Sequence, residues 1–345
     1  MDIQTAIKLV TSGKSLYVAD ASDVFTSIME GEATDAQIAA LIVALRMKGE
    51  TPDEITGAAY AMREKATHIY TSSRKNLIDT CGTGGDGSNT FNISTVAAFV
   101  AAGAGAKVAK HGNRSASSRS GSADVLESLG VDISLNAERI SVCLKELGIG
   151  FLFAPALHAA MKYAGAARKQ IGIRTIFNII GPLANPARTT SQLLGVFSPD
   201  LTETIALALK NMGSDKAFVV HGLDPLDEIS ICGPTKVSEI RGGEIITYQI
   251  TPEEFGFKRA LLADIQGGEP DYNAAIAKEV LEGKKGPHRD VVVLNAAFAL
   301  CAASITDTPK EGIAAAEKSI DSGAALEKLN KLRDLTNKLA KADGS

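Results

Sequence analysis

The first seventy residues carry apolar positions at helical spacing, and no strand pattern separates them. A capping box at Thr34–Gln37 precedes an apolar segment that stops at Gly49. The segment Thr51–Glu54 then combines an N-cap threonine, a first-turn proline and a capping glutamate. The pattern predicts an all-helical N-terminal region.

Near Asn76 the pattern changes to short apolar strands that alternate with polar loops and helices. "NLIDT" predicts a strand, "CGTGGDGSNT" a loop and "ISTVAAFVAAGAG" a helix of small apolar residues. "AKVAK", "HGNRSASSRSG" and "SADVLESLG" repeat the order of strand, loop and helix. This alternation is typical of a parallel sheet with helical crossovers.

A second helical stretch, "HAAMKYAGAARKQIG" followed by "TIFNIIGPLANP", interrupts the strands. Strands resume at "QLLGVFS" and "KAFVVHG", a hairpin is predicted to turn at Gly242–Gly243, and the tail predicts an amphipathic helix. We therefore expect an α/β protein with a small all-helical domain and a larger α/β domain, whose mostly parallel central sheet is flanked by helices. The helical domain is assigned to residues 1–72 with an inserted segment at about 166–186, and the α/β domain to residues 76–165 and 187–345.

The composition limits the classes of function. A chain of 345 residues suits two domains, and 45% hydrophobic with 22% charged residues is ordinary for a globular protein. The formal net charge of −4 argues against a general basic field for nucleic acid. Four scattered cysteines, the absence of a signal-peptide pattern, and a longest apolar run well short of about 20 residues predict a reduced, cytoplasmic protein without membrane contact.

The stretch "DTCGTGGDGSNTFNIST", residues 79–95, is the first candidate for chemistry. A glycine-rich loop that leads into a helix presents free backbone N–H groups, and the helix dipole favours an anion there. Asn92, Ser94 and Thr95 add neutral donors, whereas Asp86 would repel phosphate unless magnesium or ribose hydroxyls intervene. The spacing is not that of a Walker loop and the loop has no lysine, which disfavours simple nucleotide hydrolysis.

The second candidate is "KHGNRSASSRSGS", residues 110–122, which follows the next strand. Lys110 and Arg114 can pair with phosphate, and the serines add hydroxyl donors. Taken alone, this loop is explained equally well as a solvated basic turn. Since two consecutive strand ends carry loops of this kind, we favour a ligand with more than one phosphate group.

Two further features complete the set. Asp227 and Glu228 in "DPLDEIS" follow a predicted strand and suit hydrated magnesium, although acidic pairs in loops are commonly just solvated. Arg168 in "GAARKQIGIRTIFN" can clamp a carboxylate with two hydrogen bonds, although an isolated arginine is more often a surface charge.

Together with "ALRMKGET", "LLGVFS" and "GPTKVSE", these segments resemble the anthranilate phosphoribosyltransferase family, over most of the chain. The resemblance implies a nucleoside phosphorylase class II type fold, in which hinges join a small helical domain to a larger α/β domain. It also implies a homodimer formed through the helical domains, and small-molecule substrates rather than nucleic acid.

The resemblance further implies the site residues. Contacts to phosphoribosyl pyrophosphate (PRPP) are implied for Gly82, Gly85, Asp86, Thr90, Asn92, Ile93, Ser94, Thr95, Lys110, His111, Gly112, Asn113, Arg114, Ser115, Ala116, Ser117, Ser118 and Ser122. Contacts to anthranilate are implied for Gly82, His111, Asn113, His158, Arg168 and Gly181. Two magnesium ions are implied, with Ser94, Asp227 and Glu228 as ligands, and the implied catalytic residues are Lys110, Asp227 and Glu228.

The implied reaction is displacement of pyrophosphate from ribose C1 by the anthranilate amine, a step of tryptophan biosynthesis that requires no dedicated general base. One alternative is a pyrimidine nucleoside phosphorylase on the same fold, whose loops are closer to "STGGVGD" and Lys-Met-Ser-Gly-Arg than to "GTGGDG" and "KHGNR". A second alternative is a nucleic-acid-binding relative, which would require a basic groove.

Overall fold

The N-terminal part of the chain is helical in the computed structural model, which describes residues 1–115 and 119–341. Its helices are α1 (Ile3–Thr11), α2 (Val18–Glu30), α3 (Asp35–Lys48) and α4 (Pro52–Glu64). Both capping boxes form, and α3 ends before Gly49. The prediction of an all-helical N-terminal region is confirmed. Local capping signals and apolar spacing determine these helices, which is why the sequence alone indicates them.

Residues 77–222 largely alternate strands and helices, as the pattern predicted, and a hairpin and a run of helices follow. The elements are β1 (Leu77–Gly82), α5 (Ile93–Gly103), β2 (Lys107–Gly112), α6 (Ser122–Ser128), α7 (Ala137–Leu147), β3 (Ile149–Phe153), α8 (Ala154–Leu157), α9 (Lys162–Ile171), β4 (Ser191–Gly195), α10 (Leu201–Asn211), β5 (Lys216–Gly222), β6 (Thr235–Arg241), β7 (Glu244–Ile250), α11 (Pro270–Leu281), α12 (Pro287–Ala302), α13 (Pro309–Asp321) and α14 (Ala324–Lys341). The sequence pattern missed β3. The segment "TIFNIIGPLANP" forms two 3₁₀ turns, Ile176–Asn178 and Pro182–Ala184, rather than an α-helix, since proline breaks the helical hydrogen-bond pattern.

Within the described residues, seven strands form one sheet in the order β3-β2-β1-β4-β5-β6-β7. Strands β1 to β5 pair in parallel, whereas β6 and β7 are antiparallel and form the predicted hairpin. The expected fold class is confirmed. The chain moves outward from β1 to β3 and returns on the other side of β1 with β4, so the order reverses at β1, where open α/β sheets bind ligands.

The sheet opens between β1 and β2 at its carboxyl edge. The ladder between these strands ends at Ile78–Val108. Beyond that point β1 continues to pair with β4 as far as Gly82, and β2 continues to pair with β3 as far as Gly112. The two strand ends therefore diverge, and the two polar loops leave the sheet on either side of a gap.

The inserted helix α9 packs against α2 and α3 of the N-terminal region. The Phe25 and Phe177 rings meet edge to face at 5.6 Å between centroids and join the insert to the N-terminal helices. The exact division at residues 72 and 76 and at about 166–186 stays a prediction. No helix in the described part of the chain has the length and hydropathy needed to cross a bilayer.

Candidate active site

A cavity of about 380 Å³ lies at the carboxyl ends of β1 and β2. Both polar loops, α9 with the turns after it, and the Asp227–Glu228 pair contribute to its walls. The structure thus brings together four segments that the sequence analysis selected separately. The predicted site residues in its lining are Gly82, Gly85, Asp86, Thr90, Asn92, Ile93, Ser94, Thr95, Lys110, His111, Gly112, Asn113, Arg114, Ser115, Ser122, Arg168, Gly181, Asp227 and Glu228.

Asp86 is directed into its own loop and onto the neighbouring acidic segment. Its Oδ1 accepts a hydrogen bond from the Ser88 amide at 3.0 Å, and its Oδ2 accepts from the Ser88 hydroxyl at 2.8 Å. The same Oδ2 accepts from the Asp227 amide at 3.1 Å. Asp86 therefore connects the first loop to the acidic pair.

The acidic pair is held by backbone amides of the first loop and of α5. Asp227 Oδ2 accepts from the Gly84 amide at 2.7 Å, and Glu228 Oε1 accepts from the Ser94 amide at 3.0 Å. Since Ser94 lies in the first turn of α5, the positive end of the helix dipole stabilises the Glu228 carboxylate. The two carboxylates are positioned before any ligand arrives.

Two glycines make room for this acidic segment. Gly82 ends β1 and Gly195 ends β4, directly opposite each other in the ladder. A Cβ atom at Gly82 would collide with the Asp227 carboxylate, and one at Gly195 would collide with the Asp227 backbone carbonyl. Glycine at these positions is explained by close approach of Asp227.

The electrostatics of the site favour an added cation. Burial raises the pKa of Asp227 well above its ordinary value, and the neighbouring Asp86 and Glu228 carboxylates raise it further. Burial raises the pKa of Glu228 to about 7, which Lys110 partly opposes. Among the described residues no three His, Cys, Asp or Glu side chains are arranged to enclose a metal. Magnesium commonly takes one or two carboxylates and completes its shell with water and substrate phosphates, so the residues fit that ion.

Lys110 is the buried cation beside these acids, with 4% of its surface exposed. Its Nζ donates to the Thr80 carbonyl and lies 3.4 Å from the Ser94 hydroxyl. Burial lowers the pKa of Lys110, while Asp79 and the acidic pair oppose that shift. The lysine therefore lies between the two strand ends, in the place where negative charge on a ligand would be stabilised.

The second loop is more exposed, and its arginine has partners of its own. The Arg114 guanidinium donates to Asp124 at 2.8 Å and to Glu127 at 2.9 Å, both on α6. The predicted phosphate contact of Arg114 would require it to leave these acids. The Asn113 amide donates to the Ser122 hydroxyl at 3.2 Å. The predicted residues Ala116, Ser117 and Ser118 lie outside the described residues.

Asn92 joins the two loops across the cavity. Its Nδ2 donates to the Ser120 carbonyl at 3.2 Å, and its Oδ1 accepts from Asn273 on α11 at 3.0 Å. Ile93 lines the cavity but buries its side chain in the core, and the buried Thr95 hydroxyl has no hydrogen-bond partner within the described residues. The first helical turn thus combines structural contacts with an unused polar group.

Another wall of the cavity carries Arg168 and His111, and His111 pairs with His158. The Arg168 Cζ lies 5.4 Å from the Phe177 ring centroid, and no ion pair recorded among the described residues involves this arginine. His111 and His158 approach within 3.1 Å through their Nε2 atoms, with His158 behind the cavity lining. Burial lowers the pKa of both rings, that of His158 to about 4, so both are neutral near pH 7. Arg168 is therefore the available cation on this wall.

Arg174 is a cavity residue that the sequence analysis did not select. Its guanidinium donates to the Gly85 carbonyl, and its Cζ lies 4.7 Å from the Phe197 ring centroid. The residue lies in the "GIRTIFN" segment quoted above, but a single arginine in a sequence does not indicate where its side chain is directed. Arg174 connects the inserted region to the first glycine loop.

Comparison with known proteins identifies the family. The chain matches a glycosyl transferase family model for a helical bundle domain over residues 4–66 and one for an a/b domain over residues 74–326. An anthranilate phosphoribosyltransferase from Moorella thermoacetica is 56% identical over 95% of this chain and 96% of its own length. One from Symbiobacterium thermophilum is 54% identical over 98% of each.

Solved structures agree with these matches. The crystal structure of anthranilate phosphoribosyltransferase from Thermus thermophilus has a TM-score of 0.91 and 44% identity, covering 96% of this chain and 99% of that one. The Saccharomyces cerevisiae enzyme in complex with PRPP and Mg has a TM-score of 0.89 and 32% identity, covering 97% and 98%. With this similarity over nearly its whole length, the chain belongs to the anthranilate phosphoribosyltransferase family.

Proposed function

We propose that this protein transfers the 5-phosphoribosyl group of PRPP to the amine of anthranilate, giving N-(5-phosphoribosyl)anthranilate and pyrophosphate in tryptophan biosynthesis. The observation that carries the proposal is the meeting of two phosphate-type loops and an acidic pair in one cavity. The family membership supports the same reaction. It does not support the nucleoside phosphorylase or the nucleic-acid-binding alternative.

Magnesium is the proposed cofactor, with two ions held by Asp227, Glu228 and the Ser94 hydroxyl. The Saccharomyces cerevisiae relative was solved with PRPP and Mg, and the raised pKa values of the buried acids mean that a nearby cation would stabilise them. Bound magnesium would neutralise charge on the pyrophosphate group.

The chain's own residues supply position and charge. In the proposed reaction the bond from ribose C1 to the pyrophosphate oxygen breaks, the bond from the amine nitrogen to C1 forms, and the amine loses a proton to solvent. Lys110 offsets negative charge that develops on the leaving group. The loop amides and Asn92 hold the phosphate groups, and holding both reactants in line removes much of the entropic cost.

Anthranilate is proposed to bind on the wall that carries Arg168 and His111. In this proposal Arg168 binds its carboxylate in an outer position and Asn113, which also lines the cavity, contacts it further in. His111 and His158 form a hydrogen bond with each other and are neutral near pH 7. They therefore shape this wall without forming an ion pair with the anthranilate carboxylate. No general base is assigned, because the aromatic amine is a weak base and pyrophosphate is a good leaving group.

The assembly and location are also proposals. A homodimer through the helical domain is supported by the exposed apolar side chains of Tyr17 and Met47, which are 75% and 83% accessible. A cytoplasmic location is supported by the four cysteines, which are all free thiols.

Anthranilate fluorescence tests the reaction directly. Purified protein is mixed with anthranilate and PRPP, once with magnesium and once with a chelator. We expect the fluorescence to decay only with magnesium. No decay in either sample, with protein shown to be folded, would reject the proposal. Pyrimidine nucleoside phosphorolysis and retention of single-stranded DNA at moderate salt would then be assayed.

A further inference from the structure

The gap between β1 and β2 leaves backbone groups without their normal partners. The β1–β2 ladder ends at Ile78–Val108, although both strands continue toward the cavity. Amides and carbonyls that face the gap cannot bond across it, and a buried backbone group without a partner costs free energy. Something else must occupy the gap.

Asp79 and Asn185 occupy it together with Lys110, whose Nζ donates to the Thr80 carbonyl of β1. Asp79 is fully buried, and its Oδ1 accepts a hydrogen bond from the His111 amide of β2 at 3.0 Å. Asn185 is 3% exposed, and its Nδ2 donates to Asp79 Oδ2 at 2.7 Å and to the Ala109 carbonyl at 2.9 Å. Two side chains thus satisfy backbone groups of β2 that a closed ladder would have paired with β1.

The rest of Asn185 is fixed as well. Its Oδ1 accepts from the Ala187 amide at 2.8 Å, so both ends of the side-chain amide are bonded. The next residue, Pro186, accepts from the Ile69 amide at 3.1 Å, in the segment between α4 and β1. The side chain therefore enters the gap from a segment that is itself held in place.

We propose that Asp79 and Asn185 form a wedge that holds the carboxyl ends of β1 and β2 apart and so sets the distance between the two phosphate-type loops. The inference rests on the proposed function, since PRPP carries phosphate groups for both loops. Neither side chain belongs to the cavity lining formed by the described residues. Both are positioning residues that act through the strands.

Near-isosteric variants break the wedge without changing its shape. Asp79→Asn sets an amide donor against the Asn185 amide, and Asn185→Asp sets a carboxylate against Asp79 and the Ala109 carbonyl. We expect each variant to raise KM for PRPP and Kd for inorganic pyrophosphate with magnesium by about tenfold or more, since a buried hydrogen bond becomes repulsive. KM for anthranilate should change less, because Arg168, the proposed carboxylate contact, lies on α9 and not on a strand that borders the gap.

The double swap, Asp79→Asn with Asn185→Asp, restores one donor–acceptor pair between the two positions. Its loss of pyrophosphate affinity should be smaller than the sum of the two single losses. The Ala109 carbonyl still lacks a donor in the double variant, so recovery should be partial. Losses that simply add would contradict a direct pairing of the two residues.

Ser319→Ala is the matched control for lost stability. It removes a buried hydrogen bond of 2.8 Å to the Val100 carbonyl, away from the cavity lining. We expect a lower Tm, with KM for PRPP and Kd for pyrophosphate within about twofold of wild type. If Asp79→Asn and Asn185→Asp behave like this control, the wedge proposal is wrong.

Pyrophosphate binding is measured by calorimetry and does not depend on turnover. A wild type that binds pyrophosphate but never consumes anthranilate would reject the proposed function and leave the wedge test valid. A wild type that binds no pyrophosphate would overturn the wedge proposal too. If the variants fail to fold, the wedge proposal is tested by hydrogen exchange at the His111 amide of the wild-type protein. The wedge requires protection with and without pyrophosphate, and exchange at the rate of an exposed amide overturns it.

Discussion

The first loop, residues 82–95, carries Asp86, and its backbone amides hold the carboxylates of Asp227 and Glu228 from the segment after β5. The second loop, residues 110–122, carries cations, of which Lys110 is buried and Arg114 is paired with acids on the protein surface. The two loops leave neighbouring strands and are proposed to bind one substrate, yet the acids at the first loop are in place before binding, whereas Arg114 of the second loop must leave its partners.

The two loops differ in the charge that a ligand must bring to stabilise them. The acidic pair held by the first loop concentrates buried negative charge, and this charge is unfavourable, as the raised pKa values of Asp227 and Glu228 indicate. A cation brought with the substrate relieves that cost. In the second loop Arg114 already has anionic partners, so phosphate must compete with Asp124 and Glu127. The comparison predicts large effects from changes in the acidic pair that the first loop holds and small effects from changes around Arg114.

The largest effect is expected from Asp227→Asn combined with Glu228→Gln. Each replacement keeps an oxygen for the Gly84 or Ser94 amide but removes the charge that binds magnesium. We expect kcat/KM to fall about 1000-fold or more in the fluorescence assay, because magnesium stabilisation of the leaving group is lost. The Tm of the ligand-free protein at pH 7 should rise by about 2–5 °C, because the buried charges are removed.

The raised pKa of Glu228 determines how the folding stability of the protein changes with pH. Glu228 titrates near 7 in the folded protein, against an ordinary value of 4.5, so its protonated form favours folding. The stability it contributes is complete below pH 4.5 and is lost as the pH rises through 7. Scanning fluorimetry without magnesium should show this decline in the wild type and a flatter curve in the double variant. If stability falls equally with pH in the wild type and the double variant, the decline does not come from Glu228.

The next largest effect is expected from Lys110→Met, which removes the buried cation between the strand ends. Turnover should fall about 100-fold, since charge on the leaving group loses its partner. Lys216→Met is the control, because this lysine of β5 contacts the Cys301 sulfur at 3.2 Å and does not line the cavity. Equal activity in the two variants would exclude a role for Lys110 in the reaction.

Arg168→Ala should change the KM of one substrate only. We expect KM for anthranilate to rise about tenfold through loss of the paired hydrogen bonds to its carboxylate, with KM for PRPP nearly unchanged. Lys169→Ala removes the next, exposed cation of α9 and should leave both values at the wild-type level. A rise in KM for PRPP alone would contradict the proposed contact between Arg168 and anthranilate.

The smallest effect is expected from Glu127→Gln, which weakens the competition for Arg114. KM for PRPP should fall about two- to threefold, since exposed ion pairs are weak. Glu279→Gln on α11 breaks a comparable exposed pair with Lys284 and serves as the control. No change relative to that control would show that Arg114 does not reach phosphate, and that the two loops differ more than proposed here.

Much of this molecule follows from local signals in the sequence. The capping boxes of α3 and α4, the glycine loop after β1 and the turn at Gly242–Gly243 form as predicted, because neighbouring residues determine them. The inserted segment was predicted only in part, since its prolines break the second helix into 3₁₀ turns. Strand β3 was missed because it is short and lies next to helical patterns.

The sequence by itself determined most of the succession of strands, loops and helices along the chain, with β3 and the inserted turns as exceptions, and the kinds of side chain that the candidate site contains. Tertiary structure alone decided that β1 and β2 diverge, that Arg114 pairs with α6 and that Arg174 reaches the first loop. The contact between Asp79 and Asn185 joins residues 106 positions apart. Periodicity and capping act over a few residues, whereas these contacts depend on how distant segments pack, and no local pattern encodes that.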